Sequence, residues 1–72
     1  MDTVEITLAV PALEHDRYVG LLDTRATGFQ QTDAALIAYV PVDDWSADAR
    51  EALAARLRAD GYGDALSLRL LA

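Results

Sequence analysis

Hydrophobic and polar residues alternate at both ends of the chain. From Thr3 to Val10 apolar side chains occupy every second position, and the same pattern runs from Ala65 to Leu70. A period of two predicts a strand with one buried face and one wetter face. The sequence therefore predicts a first strand, closed by Pro11, and a last strand near the end of the chain. In the last strand the positions predicted to point inward are Leu66, Leu68 and Leu70.

The middle of the chain carries two more strand patterns. Residues 29–32 suit a pleated strand, and Leu36–Val40 is an apolar run of strand length that ends before Pro41. Between them, Thr32–Ala35 includes Asp33, a residue type that favours turns. We expect a tight hairpin here. Because both parities of the second run are apolar, it should form a central strand, buried on one face and partly covered on the other.

Two segments between the strands have helical periodicity. The first is expected over residues 12–25, where Gly20 would allow the helix to approach the sheet closely and Gly28 would let the chain turn out of the helix. The second is expected from Ala47 to about Asp60, capped by Asp44 or Ser46 and stopped by Gly61. The predicted apolar stripe of the first helix comprises Leu13, Tyr18, Leu21 and Leu22.

The order of these elements, β-α-β-β-α-β, predicts an α+β fold. Right-handed crossovers in two βαβ-like halves produce a ferredoxin-like split-βαβ sandwich, with a four-stranded antiparallel sheet and two helices on one face. At 72 residues the chain is expected to form one domain, spanning 1–72. The other face of the sheet would be open and is a candidate partner-binding surface. Its predicted residues are Glu5, Thr7, Ile37, Tyr39, Ser67 and Arg69.

Composition limits the chemistry that the chain can carry. It has no cysteine and one histidine, which excludes disulfides, thiolate metal sites and an imidazole cluster. No apolar run approaches the length of a membrane span, and no signal peptide precedes the first strand, so a cytoplasmic location is expected. The net charge of −6, with six arginines and no lysine, disfavours nucleic acid and suits a basic protein partner. An acidic, lysine-free composition is also typical of whole proteomes of high-GC or salt-adapted organisms.

Three local features are candidate sites. The adjacent Asp43 and Asp44 are more typical of helix caps than of a metal or acid–base site. His15 has no partner in the sequence and is expected to be a solvated residue on a helix face. Trp45 is expected to pack beside the second helix rather than anchor a ligand. No catalytic, cofactor-binding or metal-binding residue is predicted.

Several segments together resemble a known family. They are Gly20–Asp23, Ala26–Phe29, Leu36–Pro41, the opening Val4–Leu8 and the Asp43–Trp45 segment ahead of the second helix. In this arrangement the chain resembles the N-terminal domain of PrmA, the methyltransferase family that modifies large-subunit ribosomal protein eleven. One departure is Gln30-Gln31, where the family often carries an acidic residue.

The resemblance implies a substrate-recognition module that binds and positions the ribosomal protein without catalysis of its own. It also implies that S-adenosylmethionine binds a separate C-terminal domain of a longer enzyme, because the 72 residues contain no glycine-rich cofactor signature. The domain itself is expected to be a monomer. Two alternatives remain open at this point: an ACT-like regulatory domain that senses a small molecule as a dimer, and a stand-alone acidic interaction domain.

Overall fold

The computed structural model describes residues 2–71 and confirms the predicted order of strands and helices. The regular elements are β1 (Thr3–Leu8), α1 (His15–Leu22), β2 (Gly28–Gln31), β3 (Leu36–Pro41), α2 (Ala47–Ala59) and β4 (Leu66–Leu71). Short 3₁₀ turns, Ala12–Glu14 and Val42–Asp44, follow β1 and β3. The fold is the predicted α+β sandwich, a four-stranded antiparallel sheet with two helices.

The strands lie in the order β2-β3-β1-β4, so the first and third strands are central, as predicted. All six residues of β1 pair with both neighbours: Thr3 lies opposite Pro41 of β3 and Leu71 of β4. The hairpin between β2 and β3 turns at the predicted place. The Thr32 hydroxyl there accepts hydrogen bonds from the backbone N–H groups of Ala34 and Ala35, at 3.3 and 3.0 Å.

The core lies between the sheet and the helices. Its strand residues are the alternate positions of β1 and β3 that were not assigned to the open face, and these are at most 7% exposed. The helices supply Tyr18, Leu22, Leu53 and Leu57, which are at most 4% exposed. The buried strand residues are Val4, Ile6, Leu8, Leu36, Ala38 and Val40. Strict alternation thus separates a dry face from a wetter face across both central strands.

The first helix is shorter than predicted, and its start is different. Residues 12–14 form a 3₁₀ turn, and the α-helix begins at His15. A 3₁₀ turn has three residues per turn instead of 3.6, which changes the direction of side chains. Leu13, inside that turn, is 94% exposed, and Leu21, inside the α-helix, is 45% exposed, so the prediction that both belong to the buried stripe was wrong.

Two expectations for glycines were also wrong. A Cβ atom added at Gly20 would meet nothing within 4 Å, so no close approach to the sheet requires a glycine there. Gly28 lies in β2 and does not have a positive φ. Gly61 is the positive-φ residue of the described chain, at 88°, and it follows α2 as the predicted left-handed stop.

The start of α2 settles which residue caps it. The Ser46 hydroxyl accepts a hydrogen bond from the backbone N–H of Ala49 at 3.0 Å, which satisfies one of the free donors at the helix start. Asp44 belongs instead to the preceding 3₁₀ turn, Val42–Asp44.

The last strand differs from its prediction in burial. Leu66, Leu68 and Leu70 lie opposite Leu8, Ile6 and Val4, so they do share the helix-covered face. Leu68 is nevertheless 37% exposed and Leu70 60% exposed, because the helices do not cover the sheet as far as its β4 edge. The period of the pattern correctly predicted the face of these leucines. The predicted burial was wrong for Leu68 and Leu70, whereas Leu66 packs partly buried against the core.

Candidate protein-binding face

The helix-free side of the sheet collects the six residues predicted for it. Antiparallel partners lie directly opposite each other and share a face. Glu5 therefore lies between Tyr39 of β3 and Arg69 of β4, and Thr7 lies between Ile37 and Ser67. The six residues form two parallel rows across β3, β1 and β4.

One row is held by polar contacts between strands. The Arg69 Nε lies 4.0 Å from the Glu5 Oε1, a long ion pair on an exposed strand. The Tyr39 hydroxyl donates a hydrogen bond to the Gln30 Oε1 of β2 at 3.2 Å. The first contact joins β4 to β1 within the row. The second joins β3 to β2 and links this row to the row of Ile37, because Gln30 lies opposite Ile37.

Exposure is graded across this face. Glu5, Thr7, Ile37 and Tyr39, on the central strands, are half-buried, whereas Ser67 and Arg69 on the edge strand are exposed. The apolar part of the face is therefore Ile37 with the Tyr39 ring. Polar or charged side chains flank it on both sides, the arrangement of a small docking patch.

The predicted set omitted residues of the same face, one that continues an existing row and one that belongs to a third row. Gln30 lies opposite Ile37, and Thr3 is placed between Pro41 and Leu71. The alternation of β1 already indicated that Thr3 points outward. Gln30 could be placed only once the register of β2 against β3 was known, because the two glutamines in sequence do not show which one faces the helices.

The other candidate residues of the sequence lie outside this face. Within residues 2–71 no three histidine, aspartate or glutamate side chains are grouped so that they could hold a metal ion. Asp43 and Asp44 are exposed on the 3₁₀ turn after β3. Trp45 packs partly buried against the core, as predicted.

His15 is the clearest correction among the candidate residues. It was expected to be solvated, but it is 1% exposed. Its Nε2–H donates to the Val10 carbonyl oxygen at 3.0 Å, and its Nδ1 lies 3.0 Å from the Gln31 side-chain amide oxygen. The ring therefore ties the start of α1 to the end of β1 and to β2.

A second polar cluster joins the two helices. The hydroxyl of the buried Tyr18 donates to the Asp60 carboxylate at 2.7 Å, and Arg17 and Arg56 lie 3.3 and 3.2 Å from the same carboxylate. Burial, and then the bond to Asp60, raises the pKa of Tyr18 to about 12. The Tyr18 hydrogen bond, followed by Arg56 and Arg17, holds the pKa of Asp60 below its ordinary value.

This cluster accounts for an acidic residue in an unfavourable place. Asp60 is the C-cap of α2, where the negative end of the helix dipole disfavours a carboxylate. Two arginines and a hydroxyl donor offset that repulsion. Tyr18, Arg17 and Arg56 each contact the Asp60 carboxylate, so we interpret the cluster as a structural link between α1 and α2 rather than as a reactive site.

Comparison with known proteins gave no match. No protein-family model matches the chain, and neither a curated protein nor a solved structure is significantly similar to it. Among the described residues, no helix is long and apolar enough to cross a membrane.

Proposed function

We propose that this domain is a protein-recognition module and that its helix-free sheet face binds the partner. The observation that carries the proposal is the band around Ile37 and Tyr39, half-buried apolar side chains with Glu5, Thr7, Ser67 and Arg69 beside them. A face of this kind offers a partner an apolar centre with hydrogen-bonding groups at its rim, which is the usual composition of a protein interface.

Charge favours a basic partner. The chain carries a net charge of −6, and the one arginine of the proposed face is already paired with Glu5. A negative field speeds encounter with a basic protein and repels phosphate backbones. RNA recognition on a four-stranded sheet relies on aromatic and basic side chains on the strands. Here Tyr39 is the aromatic residue of the predicted face and Arg69 its basic residue.

The resemblance to the PrmA N-terminal domain suggests the identity of the partner. On this proposal the domain binds large-subunit ribosomal protein eleven and positions it for a methyltransferase domain that holds S-adenosylmethionine elsewhere in a longer enzyme. The 72 residues would then contribute binding and no catalysis.

An NMR titration tests the proposal directly. Amide shifts of the ¹⁵N-labelled domain would be followed during addition of purified ribosomal protein eleven, and in parallel during addition of a short RNA. We expect shifts confined to the strands of the helix-free face, centred on Ile37 and Tyr39, with the protein only. Shifts mapping to the helices, an equal response to RNA, or no response to the protein would contradict the proposal.

A matched pair of variants sharpens the titration. Tyr39→Ala should weaken binding at least about fivefold, which corresponds to about 1 kcal/mol at an interface anchor. Leu13→Ala removes a side chain that is 94% exposed and lies outside the sheet, so it should leave the affinity unchanged. Equal effects of the two substitutions would show that the helix-free face is not the binding surface.

A further inference from the structure

The edge strand β4 has unpaired backbone groups and exposed leucines on the same residues. Ala9 N donates to Ala65 O at 3.0 Å, which makes this a hydrogen-bonded pair at the end of the β1–β4 register. Bonded and non-bonded pairs alternate in an antiparallel ladder. Ser67, Arg69 and Leu71 therefore bond to β1. The residues whose N–H and C=O groups point to the free edge are Leu66, Leu68 and Leu70.

The hydrogen bonds on the other side of β1 agree with this assignment. Val42 N donates to Asp2 O at 3.1 Å, just beyond the β1–β3 ladder. Even-numbered residues of β1 thus bond to β3, which leaves the odd-numbered ones for β4. β4 carries no proline and no bulge, and its one charged residue is Arg69, so most of the devices that usually protect an edge strand from pairing are missing.

The sequence of β4 is self-complementary. Leu66–Leu70 has the order Leu-Ser-Leu-Arg-Leu, whose apolar and polar positions are the same in both directions. A two-fold axis through Leu68 would place Leu68 opposite its own copy and Leu66 opposite Leu70. All three residues with free backbone groups then form bonded pairs, giving about six hydrogen bonds. The leucines line up on the helix-covered side of the joined sheet.

Charge selects this register over its neighbours. With the axis at Leu68, Arg69 lies opposite the neutral Ser67 of the other copy. An axis at Arg69 would place two arginines directly opposite each other, which is destabilising. An axis at Ser67 would form fewer leucine pairs and would place Leu70 opposite Asp64.

We propose that two copies of this chain associate through antiparallel pairing of their β4 strands, centred on Leu68, into one eight-stranded sheet. The pairing covers Leu68 and Leu70, which are 37% and 60% exposed in the single chain. One strand edge and its leucines make an interface below the roughly 1,200 Å² of stable complexes, so the dimer should be weak and concentration-dependent. The proposal replaces the expected monomer and does not depend on what the helix-free face binds.

Site-specific crosslinking tests the register, since the natural chain has no cysteine. Leu68→Cys should form a disulfide-linked dimer under mild oxidation, because its own copy lies directly opposite. Ser67→Cys alone should not, since its copy lies on a diagonal about 7–8 Å away, beyond disulfide reach. A mixture of Ser67→Cys and Arg69→Cys chains should crosslink as a heterodimer. Crosslinking of Ser67→Cys alone at the rate of Leu68→Cys would overturn the proposed register.

The oligomeric state tests the association itself. Sedimentation of the wild-type chain from about 10 µM to about 1 mM should show a shift from monomer to dimer. Leu70→Glu should abolish the shift, whereas Leu13→Glu, which makes the same change at a 94% exposed leucine elsewhere, should preserve it. A monomer throughout that range, or a dimer that survives Leu70→Glu, would overturn the proposal.

Discussion

The two halves of the sandwich hold their helices to the sheet in different ways. In the first half, β1-α1-β2, the eight-residue helix α1 packs Tyr18 and Leu22 into the core, and its His15 ring also bonds to the Val10 carbonyl oxygen after β1. In the second half, β3-α2-β4, the 13-residue helix α2 is fixed by Ala49, Leu53 and Leu57, with Ser46 as its cap. The first half adds a directed hydrogen bond to its apolar contact, and the second relies on apolar contact.

The edge strands of the two halves also differ, with a polar edge in the first half and an apolar edge in the second. β2 is four residues long, its glutamines are exposed, and Gln31 also contacts His15. β4 is six residues long and leaves Leu68 and Leu70 partly in solvent. The half with the longer helix thus exposes more apolar surface at its edge. A longer helix does not by itself cover more of the sheet. An edge strand with polar side chains, such as β2, does not need a helix to cover it.

Removing an apolar contact of the second half should have the largest effect. Leu53 is 4% exposed at the centre of the α2 contact, so Leu53→Ala should lower the free energy of unfolding by about 2–5 kcal/mol. Denaturation in urea measures this. Tyr39→Ala, at a half-buried residue of the helix-free face, should cost much less. Equal losses for the two variants would contradict the assignment of the sheet faces.

Removing the polar anchor of the first half should cost less than Leu53→Ala. His15→Ala leaves the Val10 carbonyl oxygen without its donor, and a buried unsatisfied group costs about 1–3 kcal/mol. Gln31→Ala removes only the outer, exposed partner of the ring and should cost no more than about 1 kcal/mol. If Gln31→Ala cost as much as His15→Ala in the same urea experiment, the Val10 bond would not be the main anchor.

The hydrogen bond between Tyr18 and Asp60, which links the two halves, should make the stability of the domain depend on pH. Tyr18→Phe removes the hydroxyl bond to Asp60 and should cost about 1 kcal/mol at neutral pH. Because the folded pKa of Tyr18 is raised to about 12, the wild type should lose stability as pH rises from about 10 through 12. The difference between the two proteins should narrow over that range. A constant difference across it would show that Tyr18 ionises as readily in the fold as in the unfolded chain.

At acid pH the stability changes with pH in the opposite direction, so the domain loses stability as the pH falls. The lowered pKa of Asp60 means that its contribution is present above the ordinary carboxyl pKa and is lost as pH falls through the lower, folded value.

The smallest expected effect is a gain in the first half. Gly20 is exposed in α1, and an added Cβ would meet nothing within 4 Å. Gly20→Ala should therefore stabilise the domain by up to about 1 kcal/mol through helix propensity. Gly61→Ala is the control of opposite sign, because φ is 88° there and a Cβ is strained by about 1–2 kcal/mol. Thermal unfolding measures both variants. Higher stability of both would contradict the left-handed conformation of Gly61 at the end of α2.

The hydrophobic periodicity of the sequence and its turn and helix-ending residues were enough to predict the fold. Alternation separated Val4 and Ile6 from Glu5 and Thr7, and Gly61 indicated the end of α2. The same alternation placed the six candidate residues on one side of the sheet, because that assignment requires only parity and strand order. Whether they bind a partner is a separate question, which the titration addresses.

The errors occurred where tertiary geometry overrides a local pattern. His15 could not be identified as buried, because its two partners lie on other elements and its direction depends on the 3₁₀ turn ahead of α1. The exposure of Leu70 could not be predicted either. Alternation shows which face a side chain takes, but the reach of the helical layer across that face depends on the packed fold.

The pairing of the first strand with the last has a consequence for how the domain forms. β1, residues 3–8, is central in the sheet, and one of its two neighbours is β4, residues 66–71. That contact closes a loop of nearly the whole chain and raises the contact order, which slows folding. During synthesis β1 can pair with β3 early, but the sheet is incomplete until β4 has left the ribosome. Until then β1 is itself an edge strand, open to whichever strand it meets first.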